Sequence, residues 1–203
     1  MQAPSALRML SPRQVLAAKI VVFAISLLPL AWWIWGFNRD LLGANPVETI
    51  THGTGDWCLR FLLITLAVTP MRKLTGMHWL LRLRRMLGLF AFFYGSLHLT
   101  TYLWLDQFFD WNAILKDIVK RPFITLGFAA YILMAPLALT SFDAAIRWLG
   151  ARNWQRLHRA VYAVAILGVL HFWWLVKRDL TEPIIYAVLL GGLFAARWHY
   201  RKT

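Results

Sequence analysis

The chain has 203 residues, of which 60% are apolar and only 15% charged, with a mean hydropathy of +0.54 and a formal net charge of +13. That mixture excludes an ordinary water-soluble domain and points to an integral membrane protein. No Ser- or Gly-rich linker and no strong internal repeat divides the chain, so residues 1–203 are expected to form a single domain.

In chain order, the first apolar run of spanning length covers about Val15 to Phe37. It is longer than the roughly 7 to 15 residues of a signal-peptide core and no small-residue cleavage site closes it, so it reads as a retained span. The second, about Trp57 to Thr69, needs residues on either side to reach full length. The third covers about Met86 to Leu105, the fourth Phe123 to Thr140 behind Pro122, the fifth Leu157 to Val176 and the sixth Pro183 to Trp198. Pro29, Pro70 and Pro136 fall within or at the ends of these runs, where neighbouring helices can satisfy the backbone groups a proline frees. The expected fold is all-α, a bundle of six transmembrane helices.

The loops carry the charge asymmetrically. One side of the six runs holds fifteen of the 22 Lys and Arg residues, from Arg8 to Lys202, with a single acid, Asp143. The other side holds the remaining seven, Arg178 among them, against eight acids. By the positive-inside rule both termini are cytoplasmic, and the basic charge expresses topology, with no nucleic-acid partner implied. Trp32, Trp33, Trp35, Trp104, Trp111, Trp173 and Trp174 gather near the opposite ends, as in an interfacial aromatic belt.

Ionisable rings inside lipid are costly and mark functional sites. His98 lies about twelve residues into the third run and His171 about fourteen into the fifth, both counted from the basic side. Matching depth lets them face each other as the two axial ligands of one haem iron. His158 lies at the basic-side mouth of the fifth run, ~20 Å from His171 along one helix, and belongs to another layer. Gly95 and Gly168 each precede a histidine by three residues, offering clearance for a flat macrocycle or close helix packing. His52, His78 and His199 fall in loops or at a run's end, where a solvated imidazole costs little. Ser96, Thr100 and Thr101 are candidates to support the ligands, although a helical hydroxyl commonly bonds its own backbone.

The single cysteine, Cys58, excludes an internal disulfide and a covalent haem attachment motif, so haem would be b-type. No metal-binding cysteine cluster or Gly-rich phosphate loop is present, so if the chain moves electrons they must arrive from one partner and leave to another. No residue is assigned a catalytic role. Two other classes compete. A histidine-dependent proton or metal transporter would need acids within its spans, whereas all nine here lie in loops or at span ends. A membrane scaffold would have no use for histidines at matching depth.

The segments "GSLHLTTY", "RLHRAVY" and "GVLHFWW", with "GANPVETITHGTG" and "KRPFITLGF", resemble the MsrQ (YedZ) family within the ferric reductase-like transmembrane group. The likeness covers nearly the whole chain and includes histidine separations of 60 and 13 residues. It implies an electron carrier of the bacterial inner membrane. Quinol from the quinone pool or a cytosolic flavin reductase would be the donor. The acceptor would be a periplasmic molybdopterin enzyme, MsrP, which reduces methionine sulfoxide and so repairs oxidised envelope proteins. A quinone-linked cytochrome with another acceptor is the alternative within the redox class.

The resemblance carries over His98, His158 and His171 as ligands to haem iron, for one or two haems b, and mentions FMN, for which no sequence feature supplies a site. The wider group holds two haems with two histidines on each of two helices, whereas the third run here offers only His98. An inner haem at His158 would be five-coordinate, take another sixth ligand, or be absent. Arg84 and Arg85 stand near that layer and could meet a propionate or a flavin phosphate, although topology alone accounts for them.

Overall fold

A computed structural model describes residues 10–177 and 179–202, the side chains of Arg201 and Lys202 excepted; Arg8 and Arg178 of the charge asymmetry lie outside it. Among the described residues every regular element is helical: α1 (Pro12–Phe37), α2 (Pro46–Thr75), α3 (Leu81–Thr100), α4 (Trp111–Lys120), α5 (Pro122–Leu139), α6 (Asp143–Leu149), α7 (Ala151–His158), α8 (Ala160–Leu175) and α9 (Thr181–Lys202). A short 3-10 turn, His78–Leu80, leads into α3, and a π-helical stretch, Thr101–Asp106, extends it.

Local chemistry sets the helix starts. Ser11 caps α1 in a reciprocal box with Gln14, and Pro12 occupies the first helical position, where its missing N–H costs nothing. Asn45 accepts from the Glu48 N–H ahead of α2. Asp110 accepts from the N–H groups of Asn112 and Ala113 at the start of α4.

Four elements are long and apolar enough to cross a membrane: Pro12–Asn38, His78–Asp106, Pro122–Leu139 and Ala151–Leu175. These correspond to the first, third, fourth and fifth expected runs. α2 and α9 are long enough, with 30 and 22 residues, but are not apolar enough over such a length to qualify. α1 is apolar on all sides, yet only 11% of its most apolar window is buried. Ile20, Phe23 and Leu28 are each more than half exposed, a surface suited to lipid. Of the seven tryptophans of the expected belt all are exposed except Trp33, which is buried edge-on to Tyr94 and so belongs to the core and not to the belt.

Two helix pairs dominate the packing, α2 on α3 and α5 on α8, and contacts of α3 with α5 and of α2 with α8 join them. α9 closes one flank against α2 and α8, while α1 rests on α3. Between α2 and α3 the Phe61 ring stacks on Tyr94 and on Phe90, each at 5.5 Å between centroids. α7 and α8 meet at a tight turn, with the Arg159 N–H bonded to the Arg156 carbonyl and the Tyr162 N–H to the Arg159 carbonyl. Such three-residue spacing overwinds the chain, so the phase between His158 and His171 departs from an ideal helix.

The prolines inside helices create specific needs. Pro70 has no N–H to offer the Leu66 carbonyl four residues earlier. Arg197 of α9 supplies the replacement: Nη2 and Nε donate to that oxygen at 2.6 and 3.3 Å, while Nη1 donates to the Tyr162 hydroxyl at 2.6 Å. One guanidinium thereby ties α2, α8 and α9 together. Arg197→Met is expected to cost about 1–3 kcal/mol of stability by leaving a buried carbonyl unpaired. The cost should shrink in a Pro70→Ala background, where the backbone N–H returns, and a double-mutant cycle by thermal or chemical unfolding in detergent measures the difference.

Candidate functional site

The two helix pairs repeat one local arrangement. From α3, His98 reaches α2, where its Nδ1 lies 2.8 Å from the Thr51 carbonyl oxygen. From α8, His171 reaches α5, where its Nδ1 lies 2.6 Å from the Phe123 carbonyl oxygen. A carbonyl only accepts, so each Nδ1 carries the proton and each Nε2 keeps a free lone pair.

Four residues beyond each accepting carbonyl stands a glycine. A Cβ on Gly55 would lie 3.1 Å from the His98 Nδ1, and one on Gly127 would lie 2.9 Å from the His171 Nδ1. The carbonyl of residue i ordinarily serves the N–H of residue i+4 in a helix. With glycine at i+4, an imidazole can come close enough to share that oxygen.

So held, the two rings face each other with centroids 6.1 Å apart and planes inclined by 76°. A metal–imidazole bond of about 2.0–2.1 Å, plus the ring radius on each side, brings two axial ligands of one metal to about 6 Å between centroids. Donation of the second ring N–H to a backbone carbonyl is the usual support for a metal-binding histidine. Among the described residues, no group of three or more His, Cys, Asp or Glu is placed to hold a bare metal ion. The pair therefore fits a metal whose remaining donors come from a macrocycle, which is the haem expected above. The buried Thr51 hydroxyl beside the His98 seat has no protein partner.

His158 is elsewhere. It stacks on Trp154 at 3.8 Å and lines a cavity of about 250 Å³ with Arg84, Arg85, Thr65 and Gly88. Its Nε2 lies 3.0 Å from the Thr140 hydroxyl, which itself donates to the Pro136 carbonyl at 2.6 Å. That hydroxyl has no second proton to give, so Nε2–H donates and presents no lone pair here. Among the described residues no second histidine lines this cavity. The side chain of Arg85 is drawn toward Asp143 at 2.6 Å, and this guanidinium holds the Asp143 carboxyl below the usual range.

Two further expectations take definite form. A Cβ on Gly95 would meet Met134 at 2.8 Å and Cys58 at 3.2 Å, so this glycine permits close helix packing. Gly168 has only an ordinary 3.5 Å neighbour, Leu59. Ser96, Thr100 and Thr101 bond the carbonyls of Phe92, Ser96 and His98, and the Ser96 hydroxyl also lies 3.1 Å from that of Tyr131. Thr51, Gly55, Phe123 and Gly127 are the positions that sequence reasoning passed over. The available signal was a glycine inside each helix, costing about 1 kcal/mol against alanine and so calling for a reason.

An apolar helical bundle with two imidazoles converging at one depth defines a membrane electron-transfer type of protein. Residues 53–169 match the family described as "Ferric reductase like transmembrane component". Its similar relatives include proteins named "Protein-methionine-sulfoxide reductase heme-binding subunit MsrQ". That of Azospira oryzae is 62% identical, over 92% of this chain and 81% of its own. That of Herminiimonas arsenicoxydans is 52% identical over 95% and 90%, and that of Xanthomonas campestris pv. campestris strain 8004 is 54% identical over 90% and 86%. The chain belongs to the ferric reductase-like transmembrane family and, within it, to the MsrQ proteins. No solved structure matches it.

Gly127→Ala should reverse the usual helix preference for alanine, because its methyl displaces the His171 ring. Haem retention is expected to weaken about tenfold, the lower end of what disturbed ligand support costs. Gly168→Ala should retain haem at the wild-type level, and a pyridine haemochrome titration per milligram of protein compares them.

Proposed function

We propose that the chain is the haem-binding, electron-carrying subunit of a methionine sulfoxide reductase system in the bacterial inner membrane. The observation that carries this reading is the close pair His98 and His171, with ring centroids 6.1 Å apart and each Nδ1 held by a backbone carbonyl so that Nε2 keeps its lone pair. These two would hold one haem b by axial ligation and packing alone, since Cys58 is the only cysteine. When bound, the haem supplies reversible one-electron chemistry, with a potential set by its ligands, their hydrogen bonds and burial. Carbonyl-bound Nδ1–H groups make both imidazoles stronger donors, which favours the oxidised state. Bulky apolar neighbours exclude water and act oppositely.

Residues 1–203 form one domain in this reading, with six crossings and both termini cytoplasmic. α2 and α9 cross beside the four apolar elements because their charges face helix neighbours: Arg197 serves the Leu66 carbonyl and Arg60 the Tyr186 hydroxyl. The basic ends then lie in the cytoplasm and the histidine pair in the periplasmic half. His158, with Arg84 and Arg85, forms a second site at the cytoplasmic mouth. A second haem there needs Nε2 of His158 released from Thr140, and the arginines suit a propionate or the phosphate of FMN.

Electrons would come from quinol or a cytosolic flavin reductase and leave to the periplasmic molybdopterin enzyme MsrP, where the sulfoxide is reduced. His98→Ala and His171→Ala should each abolish the same low-spin absorbance in reduced-minus-oxidised spectra, whereas His158→Ala should leave it in place. Equal loss in all three would count against the pairing. Reduced protein mixed with the periplasmic reductase and a sulfoxide should reoxidise faster than protein alone, followed by stopped-flow absorbance; no acceleration would argue for another acceptor.

A further inference from the structure

α4 is tethered between two spans and is too short to be one. The π-helical stretch that ends the apolar element His78–Asp106 is followed by Gln107 to Asp110, and a single residue, Arg121, separates α4 from the apolar element Pro122–Leu139. The ten residues of α4 rise about 15 Å, half of a ~30 Å hydrocarbon core. The helix therefore lies at the level where its two neighbours leave the apolar layer.

Its surface divides into three sectors, each roughly a third of the circumference at about 100° per residue. Ile114, Asp117 and Ile118 form the sector against the protein. Ile114 is buried, Asp117 lies 3.5 Å from the Tyr102 hydroxyl, and the Ile118 carbonyl accepts from the Thr125 hydroxyl of α5. The second sector is Trp111, Leu115 and Val119, apolar yet 62%, 62% and 83% exposed. The third is Asn112, Lys116 and Lys120, polar and exposed. A helix on a water-soluble domain needs two sectors, one for the core and one for water. Three sectors fit a helix at the line where protein, lipid and water meet.

The cations agree with that placement. Of the seven Lys and Arg residues on the acid-bearing side, three fall within residues 116–121. Arg121 pairs with Asp117 at 3.2 Å and Asp110 is engaged as the α4 cap, whereas among the described residues Lys116 and Lys120 have no ion-pair partner.

The turn into the helix is an independent sign. Phe108 and Phe109 have φ of 47° and 58°, a left-handed backbone that is costly for bulky residues and is ordinarily given to Gly or Asn. Phe108 is 81% exposed, and the Phe109 ring lies 6.4 Å from that of Trp111, so the turn extends the apolar sector. Aromatic rings held outward on strained backbone call for an apolar medium to receive them.

We infer that α4 is a membrane-surface anchor that binds acidic phospholipid: Trp111, Leu115 and Val119 enter the acyl layer, and Lys116 and Lys120 hold the phosphates of anionic head groups. An apolar face carrying Trp and Leu beside a lysine-bearing polar face is the pattern of helices that lie in the interface. With the bundle at its side, the helix turns the lysine sector toward water and the apolar sector toward the acyl chains. A water-borne protein would then meet only the lysines.

The test uses the full chain in nanodiscs of equal parts phosphatidylglycerol and phosphatidylcholine, with Leu115→benzoylphenylalanine as a photoreactive probe. Irradiation is expected to add phospholipid mass to the α4 peptide, with phosphatidylglycerol captured about fivefold over phosphatidylcholine, the scale of one lysine at an anionic surface. Adding Lys116→Gln and Lys120→Gln should bring that ratio to about one while total lipid capture persists, because the apolar sector is intact.

Helical circular dichroism and a single elution peak confirm each preparation as folded. An α4 peptide without lipid mass, equal capture of the two lipids with both lysines present, or a ratio that the glutamine substitutions leave unchanged overturns the inference. The same probe irradiated in native membranes should again add lipid, and a protein adduct in its place overturns the inference in favour of a docking partner. None of these readouts uses haem, so the haem reading stands or falls separately.

Discussion

The central constraint is that a buried imidazole must give its spare proton to an oxygen before the other nitrogen can serve a metal. In a helical membrane protein nearly every carbonyl is already engaged within its own helix. The structure meets this twice by placing a glycine where the carbonyl's usual partner stands, Gly55 for Thr51 and Gly127 for Phe123. A methyl group at either place would hold the ring away from the oxygen. The dominant packing, α2 on α3 and α5 on α8, follows from it, because each pair joins a histidine helix to the helix that seats it.

A second consequence concerns polarity. Charged side chains distinguish α2 and α9, and two of them, Arg197 and Arg60, hold these helices together. Arg197 completes the hydrogen bonding of a carbonyl freed by Pro70. Arg60 and Asp56 face the flank beside the histidine pair.

The two histidine layers differ in chemistry as well as position. At the paired site both rings keep Nε2 free. At the other site Nε2 of His158 is committed to Thr140, and two arginines line the cavity. The first arrangement brings two imidazole lone pairs together, whereas the second is a cationic pocket with one imidazole at its wall.

Composition and hydropathy by themselves determined the membrane class and the helical fold, because apolar runs of this length have few other solutions. Counting residues from the basic loops also matched His98 with His171 and separated His158, since depth along a straight helix is linear in sequence. Rotation about the helix axis is not, and it depends on which helices meet. Thr51 lies 47 residues from His98, and Phe123 lies 48 from His171, so neither seat was legible. The glycines that looked relevant, Gly95 and Gly168, share a helix with the histidines, while those that matter lie across the interface. Trp33 looked like part of the interfacial belt and is instead buried, because α1 turns that one ring toward Tyr94. Sequence thus determined the apolar surroundings, the helical character of the chain and the pairing of His98 with His171. Only tertiary structure decided which backbone oxygen holds each ring, because that choice is made between segments the chain brings together by folding.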